Sequence, residues 1–187
     1  AERDMAPSIA AFEPLVRAAA KDKAPFILLP EMAAMLEPNN EQVLAKAKPE
    51  ADDPALKSFR ALAQETGTWI LVGSLLFKEP GKARVVNRSL LVDPRGAITA
   101  RYDKLHLFDV DVGDGQSYKE SATVEPGAVA QLGATPWGLM GFSICYDLRF
   151  AYLYRALAQA GAAMLAVPAA FTYATGLGFD LPVVSVA

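Results

Sequence analysis

The sequence predicts an α/β layered domain built around a mixed β-sheet. Three observations indicate this class: apolar positions at helical spacing, short apolar runs that follow them, and a central series of apolar runs separated by turn residues. The chain has 187 residues, 52% of them hydrophobic and 21% charged, which is enough to bury a substantial core. We therefore expect residues 1–187 to form one domain, without an internal repeat or an interdomain linker.

The first unit is a helix followed by a strand. Apolar residues recur at helical spacing from Ser8 to Lys23, and Ala24-Pro25 ends that pattern before the apolar run Phe26–Leu29. Residues 37–54 are polar and contain three prolines, so they are expected to form a long surface excursion.

A second helix–strand unit follows the excursion. Apolar spacing predicts a helix over Ala55–Ala63 that closes at Gly67, since glycine commonly ends helices. The next run, Thr68–Gly73, is predicted to be a strand.

The middle of the chain changes character. The runs Leu75–Phe77, Val85–Val92 and Ala97–Tyr102 are separated by Glu79–Lys82 and Asp93–Gly96, both rich in turn-forming residues. They predict a meander of antiparallel strands.

The last third returns to alternating strands and helices. A polar loop is expected over Asp109–Gly127, then a strand over Leu139–Ile144, a helix over Ala151–Ala160 and a strand over Ala163–Val167. Helix–strand units on both sides of a meander favour a mixed sheet covered by helices.

Composition excludes several classes of function. The formal net charge is −3 and the pI is near 5.2, so no basic surface for nucleic acid or for an anionic membrane is expected. No apolar stretch is long enough to span a bilayer, and the first 20 residues do not resemble a signal peptide. One cysteine allows no internal disulfide, and with His106 it is too little for a zinc cluster. We expect a metal-free site in a cytoplasmic protein.

Cys145 is the first candidate for chemistry. It ends the apolar run Leu139–Ile144 and precedes a predicted helix, where backbone N–H groups favour a thiolate and can hold an oxyanion. A lone cysteine is also commonly a small buried apolar residue. A cysteine–histidine pair with His106 is a further alternative, although no orienting Asn or Asp is evident.

Glu31 and Lys104 lie at the ends of other predicted strands. A carboxylate at the mouth of a buried strand is poorly solvated and suits a general base, and a lysine beside it would stay charged and stabilise an oxyanion. Glu31 could also be an ordinary surface carboxylate. Lys104 could be an edge lysine whose aliphatic stem covers apolar surface.

Four segments in series stand out: Pro30-Glu31-Met32, Tyr102–Asp109, Tyr118–Ser121 and Gly141–Phe150. They resemble the signature blocks of the nitrilase superfamily, and especially its Nit branch of omega-amidases and deaminated glutathione amidases. The resemblance extends from about Ala10 to Gly176.

The resemblance implies a fold and a set of catalytic roles. The fold is a four-layer αββα sandwich that forms a homodimer or a larger homo-oligomer. Cys145 is the nucleophile, Glu31 the general base, Lys104 the stabiliser of the tetrahedral intermediate, and Glu120 a second glutamate that assists the base. The backbone N–H of Tyr146 is a second oxyanion donor, and no cofactor takes part.

The same resemblance implies residues that contact the substrate. Arg149 corresponds to an arginine that faces a substrate carboxylate, and Phe171 and Thr175 correspond to residues that line the pocket. From the residues alone, Arg149 could form an ion pair with Asp147, and Phe171 could belong to the core. His106 is expected to be structural, and Trp69 and Trp137 to be packing aromatics.

The sequence also departs from the family pattern. Asp103 replaces an arginine, and this change is expected to retune Lys104. Ala151-Tyr152 replaces Pro-Glu. Residues 177–187 resemble nothing in the family, so the sandwich is expected to be incomplete at its carboxyl end, with an exposed apolar edge.

Three functions follow as hypotheses. The first is a hydrolase that cleaves the carbon–nitrogen bond of a small carboxylate-bearing amide through a cysteine thioester. The second is a catalytically inactive fragment that acts as a binding or assembly module. The third, a thiol redox sensor, lacks a resolving cysteine.

Overall fold

The computed structural model describes residues 1–111 and 117–171. The helices are α1 (Met5–Lys21), α2 (Asn40–Lys46), α3 (Pro54–Thr66) and α4 (Ala151–Gln159), and short 3-10 helices cover Glu50–Asp52, Glu120–Ala122 and Cys145–Arg149. The strands are β1 (Phe26–Leu28), β2 (Lys48–Pro49), β3 (Trp69–Lys78), β4 (Val85–Val92), β5 (Ile98–Asp103), β6 (Asp109–Asp111), β7 (Ser117–Lys119), β8 (Val124–Glu125), β9 (Leu132–Thr135), β10 (Gly138–Phe142) and β11 (Ala162–Ala166).

Two mixed sheets and a hairpin contain these strands. The larger sheet has the order β1-β3-β4-β5, with β2 paired to β3 and β8 paired to β4. Strands β1 and β2 run parallel to β3, whereas β3, β4 and β5 form the antiparallel meander. The smaller sheet has the order β11-β10-β9, with β10 parallel to β11, and β6 pairs with β7. The predicted mixed sheet is therefore confirmed.

Helices and sheets stack in four layers. On one face of the larger sheet, α1 and α3 bury a cluster that includes Val16, Phe59 and Ile70. Burying a side chain such as Phe59 stabilises the fold by about 1.5–3 kcal/mol. The opposite face, with Leu71 and Tyr102, packs against the smaller sheet through residues such as Phe142.

Helix α4 covers the far side of the smaller sheet. Buried Leu157 of this helix lies against Gly141 of β10. The order helix, sheet, sheet, helix is the αββα sandwich that the sequence resemblance implied.

The second predicted helix shows how local sequence sets its own limits. The Asp53 side chain accepts a hydrogen bond from the Leu56 N–H at 2.8 Å, and Pro54 occupies the first turn, where its missing N–H has no cost. Gly67 ends the helix at φ 66°, in the left-handed region. Helix α3 thus begins one residue before the predicted start and ends where predicted.

Several predicted segments need correction. The surface excursion over residues 37–54 contains α2, β2 and a 3-10 helix, and the polar loop over Asp109–Gly127 contains β6, β7 and β8. The runs Thr68–Gly73 and Leu75–Phe77 form one strand, β3, with an irregular register between Val72 and Leu75. Strand β9 was not predicted. Strands β2 and β8 are specified by pairing with β3 and β4 more than by local pattern.

Residues 177–187, on which the expected incompleteness of the sandwich rested, lie outside the described residues. Within the described ranges, the structure contains no helix that is long and apolar enough to cross a membrane.

The backbone at the middle of β3 closely approaches the segment that follows β1. A side chain at Gly73 would place its Cβ 2.0 Å from the Leu29 carbonyl oxygen and 2.4 Å from that of Pro30. Glycine is therefore required where β3 passes the segment that leads to Glu31.

We expect Gly73→Ala to lower the free energy of unfolding by about 2–3 kcal/mol, because backbone atoms would have to shift to admit the methyl group. Urea-induced unfolding measures this change. Gly81→Asn is the control: open space surrounds Gly81 and asparagine tolerates its φ of 76°, so a change below about 0.5 kcal/mol is expected. Equal stability of Gly73→Ala and the unmodified chain would contradict the close approach.

Candidate active site

Four reactive side chains meet in one cavity of about 1030 Å³: Glu31, Lys104, Glu120 and Cys145. Glu31 lies three residues after β1 and Lys104 directly after β5. Glu120 begins a 3-10 helix after β7, and Cys145 begins another after β10. The structure therefore brings together all four residues that the sequence singled out for chemistry.

The Lys104 ammonium group lies between the two glutamates. Its Nζ is 2.9 Å from Oε1 of Glu31 and 2.9 Å from Oε2 of Glu120. Burial alone would lower the pKa of Lys104, but the charges of Glu31 and Glu120 outweigh it and raise the pKa well above its usual range. The amine is therefore a permanent cation, suited to an oxyanion and unsuited to act as a base.

Backbone donors orient both carboxylates. Oε2 of Glu31 accepts a hydrogen bond from the Ala170 N–H at 3.0 Å, and Oε2 of Glu120 accepts one from the Phe108 N–H at 2.7 Å. Hydrogen bonds to an ionised carboxylate favour the charged form. One cation and two anions leave the cluster with a net charge of −1.

Asn87 of β4 also belongs to this cluster. It is fully buried, and its Nδ2 donates to Oε1 of Glu31 and to Oε1 of Glu120, each at 3.2 Å. Its Oδ1 is buried and accepts no hydrogen bond within the described part of the chain, an arrangement that costs about 1–3 kcal/mol. Sequence reasoning missed Asn87, although a lone amide in the apolar run Val85–Val92 was the available signal.

The backbone at Cys145 is strained. Its φ is 47°, in the left-handed region, and its N–H donates to the Pro168 carbonyl at 2.9 Å. Such a conformation costs on the order of 1–3 kcal/mol in a residue other than glycine and needs support from its surroundings. The sharp turn presents the thiol to the cavity, which Glu31 also lines.

The resting thiol is protonated. Burial, followed by the negative charge of Glu31, raises the pKa of Cys145 to about 12, although Lys104 and the Ala170 N–H oppose the shift. Since Lys104 is already neutralised by two glutamates, it does not generate a stable thiolate. Attack by this sulfur therefore needs a base to accept its proton, and Glu31 lines the same cavity.

Asp147 anchors the turn that carries Cys145. Its Oδ2 accepts hydrogen bonds from the Ile144 N–H at 2.8 Å and the Tyr102 hydroxyl at 2.7 Å, and its Oδ1 accepts one from the His106 N–H at 3.0 Å. The imidazole of His106 also contacts Asp147 at 2.6 Å and stacks on Phe150. His106 thus connects the Lys104 segment to the Cys145 turn, consistent with the structural role that the sequence indicated.

Other predicted residues line the same cavity. Tyr146, Arg149 and Phe171 all border it, whereas Thr175 lies outside the described residues. Phe171 is 38% exposed, so it is not a core residue. Trp137 is exposed and packs edge-on against Phe26, as expected for a packing aromatic.

No group of three or more His, Cys, Asp or Glu side chains among the described residues is arranged to hold a metal ion. The carboxylates of Glu31 and Glu120 are occupied by Lys104 and by N–H donors. The groups beside Cys145 in this cluster are therefore two carboxylates and an ammonium.

Comparison with known proteins places this geometry in a family. Residues 2–179 match the sequence profile of the carbon-nitrogen hydrolase family. The chain is 40% identical over 152 residues to a deaminated glutathione amidase of Yersinia enterocolitica and 33% identical over 162 residues to an omega-amidase of Bos taurus. These alignments cover 80% and 87% of this chain but 53% and 57% of the relatives, so the chain spans a little over half their length.

A solved structure shares the fold. The NitFhit protein of Caenorhabditis elegans superposes with a TM-score of 0.85 at 32% identity, over 94% of this chain and 43% of that one. The yeast protein Nit3, described as a member of branch 10 of the nitrilase superfamily, superposes with a TM-score of 0.80 at 23% identity. The αββα arrangement is therefore that of the nitrilase superfamily.

We expect Glu31→Gln to make Cys145 more reactive toward iodoacetamide. Removing the charge of Glu31 lowers the pKa of the thiol. Each decrease of that pKa by one raises the thiolate fraction at pH 8 about tenfold. Because the chain has one cysteine, mass spectrometry of the intact protein reads the labelling rate directly.

Glu125→Gln is the matched control, since Glu125 pairs with Arg84 away from the cavity, and its labelling rate should equal that of the unmodified protein. Slower labelling of Glu31→Gln would show that the carboxylate accepts the thiol proton even with an alkylating reagent. That result would contradict the expectation that the charge of Glu31 limits the reactivity of the resting thiol by raising its pKa.

Proposed function

The chain belongs to the carbon-nitrogen hydrolase family, and from that premise we propose that it hydrolyses the terminal amide of a small carboxylate-bearing compound. The reaction proceeds through a thioester on Cys145 and releases ammonia. The observation that carries this proposal is one cavity lined by a buried thiol, Cys145, and by the ion pair of Glu31 with the Lys104 ammonium.

The acylation step uses each of these groups once. As the sulfur of Cys145 attacks the amide carbonyl carbon, its proton passes to Glu31 and the carbonyl electron pair moves to oxygen. Lys104 and the backbone N–H of Tyr146 stabilise the resulting oxyanion. Collapse of this intermediate breaks the carbon–nitrogen bond, and the proton held by Glu31 passes to the leaving nitrogen to give ammonia.

The deacylation step reverses the direction of proton transfer. Glu31, again ionised, takes a proton from water as its oxygen attacks the thioester, and the second tetrahedral intermediate collapses to a carboxylic acid. The proton on Glu31 then returns to the sulfur. Glu120 keeps Lys104 paired throughout, which supports its role as the residue that assists the base.

The cationic side of the cavity favours an anionic substrate. Arg149 borders the cavity and is suited to bind a carboxylate through two hydrogen bonds. Tyr146 and Phe171 supply aromatic walls on the same cavity. The names of the relatives, deaminated glutathione amidase and omega-amidase, indicate two test compounds of this class.

We also propose a cytoplasmic location, a homodimeric or larger assembly, and no nucleic-acid or membrane partner. The net charge of −3 and the single cysteine support the location and the absence of anionic partners. The likeness to the nitrilase superfamily supports the assembly.

The proposal is tested by ammonia release from α-ketoglutaramate and from deaminated glutathione. The unmodified chain should release ammonia from at least one of them, and Cys145→Ala should reduce the rate to background, since no other side chain of the cavity can form the thioester. Ser143→Ala, two residues away and outside the cavity lining, is the control and should retain activity.

A soluble, folded chain without activity on either compound would overturn the proposal. That result would favour the alternative of an inactive binding or assembly module.

A second variant tests how the substrate is recognised. Arg149→Met should raise KM for a carboxylate-bearing amide about tenfold to hundredfold, because the charge-assisted hydrogen bonds to the carboxylate contribute about 1.5–3 kcal/mol, while kcat changes little. Hydrolysis of a neutral amide such as propionamide should not respond. Arg155→Met, on the exposed surface of α4, is the control. An equal loss on both substrates would contradict a carboxylate contact.

A further inference from the structure

Asn87 occupies an unusual position between the two glutamates. It projects from the middle of β4 and is fully buried. The single amide nitrogen Nδ2 lies 3.2 Å from Oε1 of Glu31 and 3.2 Å from Oε1 of Glu120. Since an amide NH₂ has two hydrogens, Asn87 gives one to each carboxylate.

We propose that Asn87 is a positioning residue that determines which oxygen of Glu31 accepts the proton of Cys145. The inference rests on the proposed function, because the proton is the one that leaves the thiol during attack on the amide. Asn87 acts through Glu31 and Glu120 and does not itself touch the reacting sulfur.

The hydrogen bonds that Glu31 already accepts determine which of its oxygens is open to the proton. A carboxylate oxygen accepts about two hydrogen bonds. Oε1 already accepts one from Lys104 at 2.9 Å and one from Asn87 at 3.2 Å. Oε2 accepts one from the Ala170 N–H at 3.0 Å, which leaves one lone pair. The proton from sulfur therefore passes to Oε2, and the electron pair left on sulfur forms the new bond to the carbonyl carbon.

The orientation of the amide follows from the same contacts. A reversed amide would place Oδ1 at 3.2 Å from two carboxylate oxygens, where all three atoms carry negative charge and none can donate. The observed orientation leaves Oδ1 without a hydrogen-bond partner in the described ranges. The two hydrogen bonds from Nδ2 to the glutamates therefore fix the orientation of the amide. Both N–H groups point at carboxylate oxygens, so Asn87 holds the two glutamates at fixed positions relative to each other.

The charged and titratable groups around Glu31 make a neutral donor necessary. Lys104, Glu120 and Cys145 face it in the cavity. A second cation at position 87 would neutralise the charge that accepts the thiol proton, and an anion would add repulsion. An amide binds both glutamates and leaves the net charge of the cluster at −1.

Two variants test this role. Asn87→Leu has a similar size and removes both donors, and Asn87→Asp keeps the shape but replaces the donors with an acceptor. For Asn87→Leu we expect kcat to fall about tenfold to hundredfold with KM within about threefold, since proton transfer is affected and binding is not. The acid limb of the kcat/KM profile should move upward by about one pH unit, because the charged form of Glu31 loses a hydrogen bond. Asn87→Asp should show a larger upward shift.

Ser89→Ala is the matched control. Ser89 lies two residues further along β4, is equally buried, and donates to the Val72 carbonyl away from the cavity. Its variant should keep the position of the pH profile and kcat within about twofold. If all three variants lose kcat equally without a shift of the profile, Asn87 is merely structural and the proposal fails.

A readout that does not need turnover separates this proposal from the proposed function. In protein with ¹³C-labelled glutamate carboxyls, the signal that disappears in Glu31→Gln reports protonation of Glu31. Its titration midpoint should move upward by about one pH unit in Asn87→Leu and further in Asn87→Asp. An unmoved midpoint overturns the role of Asn87, whereas a shifted midpoint in a chain without amidase activity overturns only the proposed function.

Discussion

The fold around the site depends on one buried cation. Lys104 is 2% exposed, and leaving it unpaired would destabilise the structure by about 3–5 kcal/mol. Its partners, Glu31 and Glu120, come from separate segments of the chain, so the end of β1, the end of β5 and the 3-10 helix after β7 must meet at one point. The same pairing explains the chemistry of Cys145. A lysine shared by two carboxylates leaves net negative charge beside the thiol, and this charge raises the pKa of Cys145.

Asp147 supplies a second constraint, because it sets the position of the sulfur relative to that cation. The carboxylate receives hydrogen bonds from Ile144, immediately before Cys145, and from Tyr102 and His106, on either side of Lys104. Hence one buried side chain connects the turn that carries Cys145 to the segment that carries Lys104. Catalysis tolerates only small errors in such distances, and groups held by packed strands and buried hydrogen bonds meet that requirement.

Much of this arrangement was readable from the sequence because strand ends have a local signature. Glu31, Lys104 and Cys145 each follow an apolar run, and such runs predict buried strands whose ends open at an edge of the sheet. Glu120 has no such signature and was found only through the resemblance of its segment to a family block. Asn87 was missed because a single polar residue within a strand pattern has many explanations, and its meaning depends on two carboxylates 56 and 33 residues away. Strand β8 was missed for the same reason, since pairing with the distant strand β4 specifies it.

The departure at Asp103 shows how a change of charge beside the site is accommodated. Asp103 and Lys104 are adjacent in the chain, but the Asp103 carboxylate turns away and accepts two hydrogen bonds from Arg88, at 2.6 Å and 3.0 Å. Arg88 also pairs with Glu50 at 2.8 Å. Asp103 is therefore paired with Arg88, and it is not among the groups that shift the pKa of Lys104. Neighbouring residues of an extended segment point to opposite sides, so a carboxylate at position 103 is balanced by an arginine outside the cavity. The charged groups of the cluster beside Cys145 are Lys104 and its two glutamates, and Asn87 bridges those glutamates.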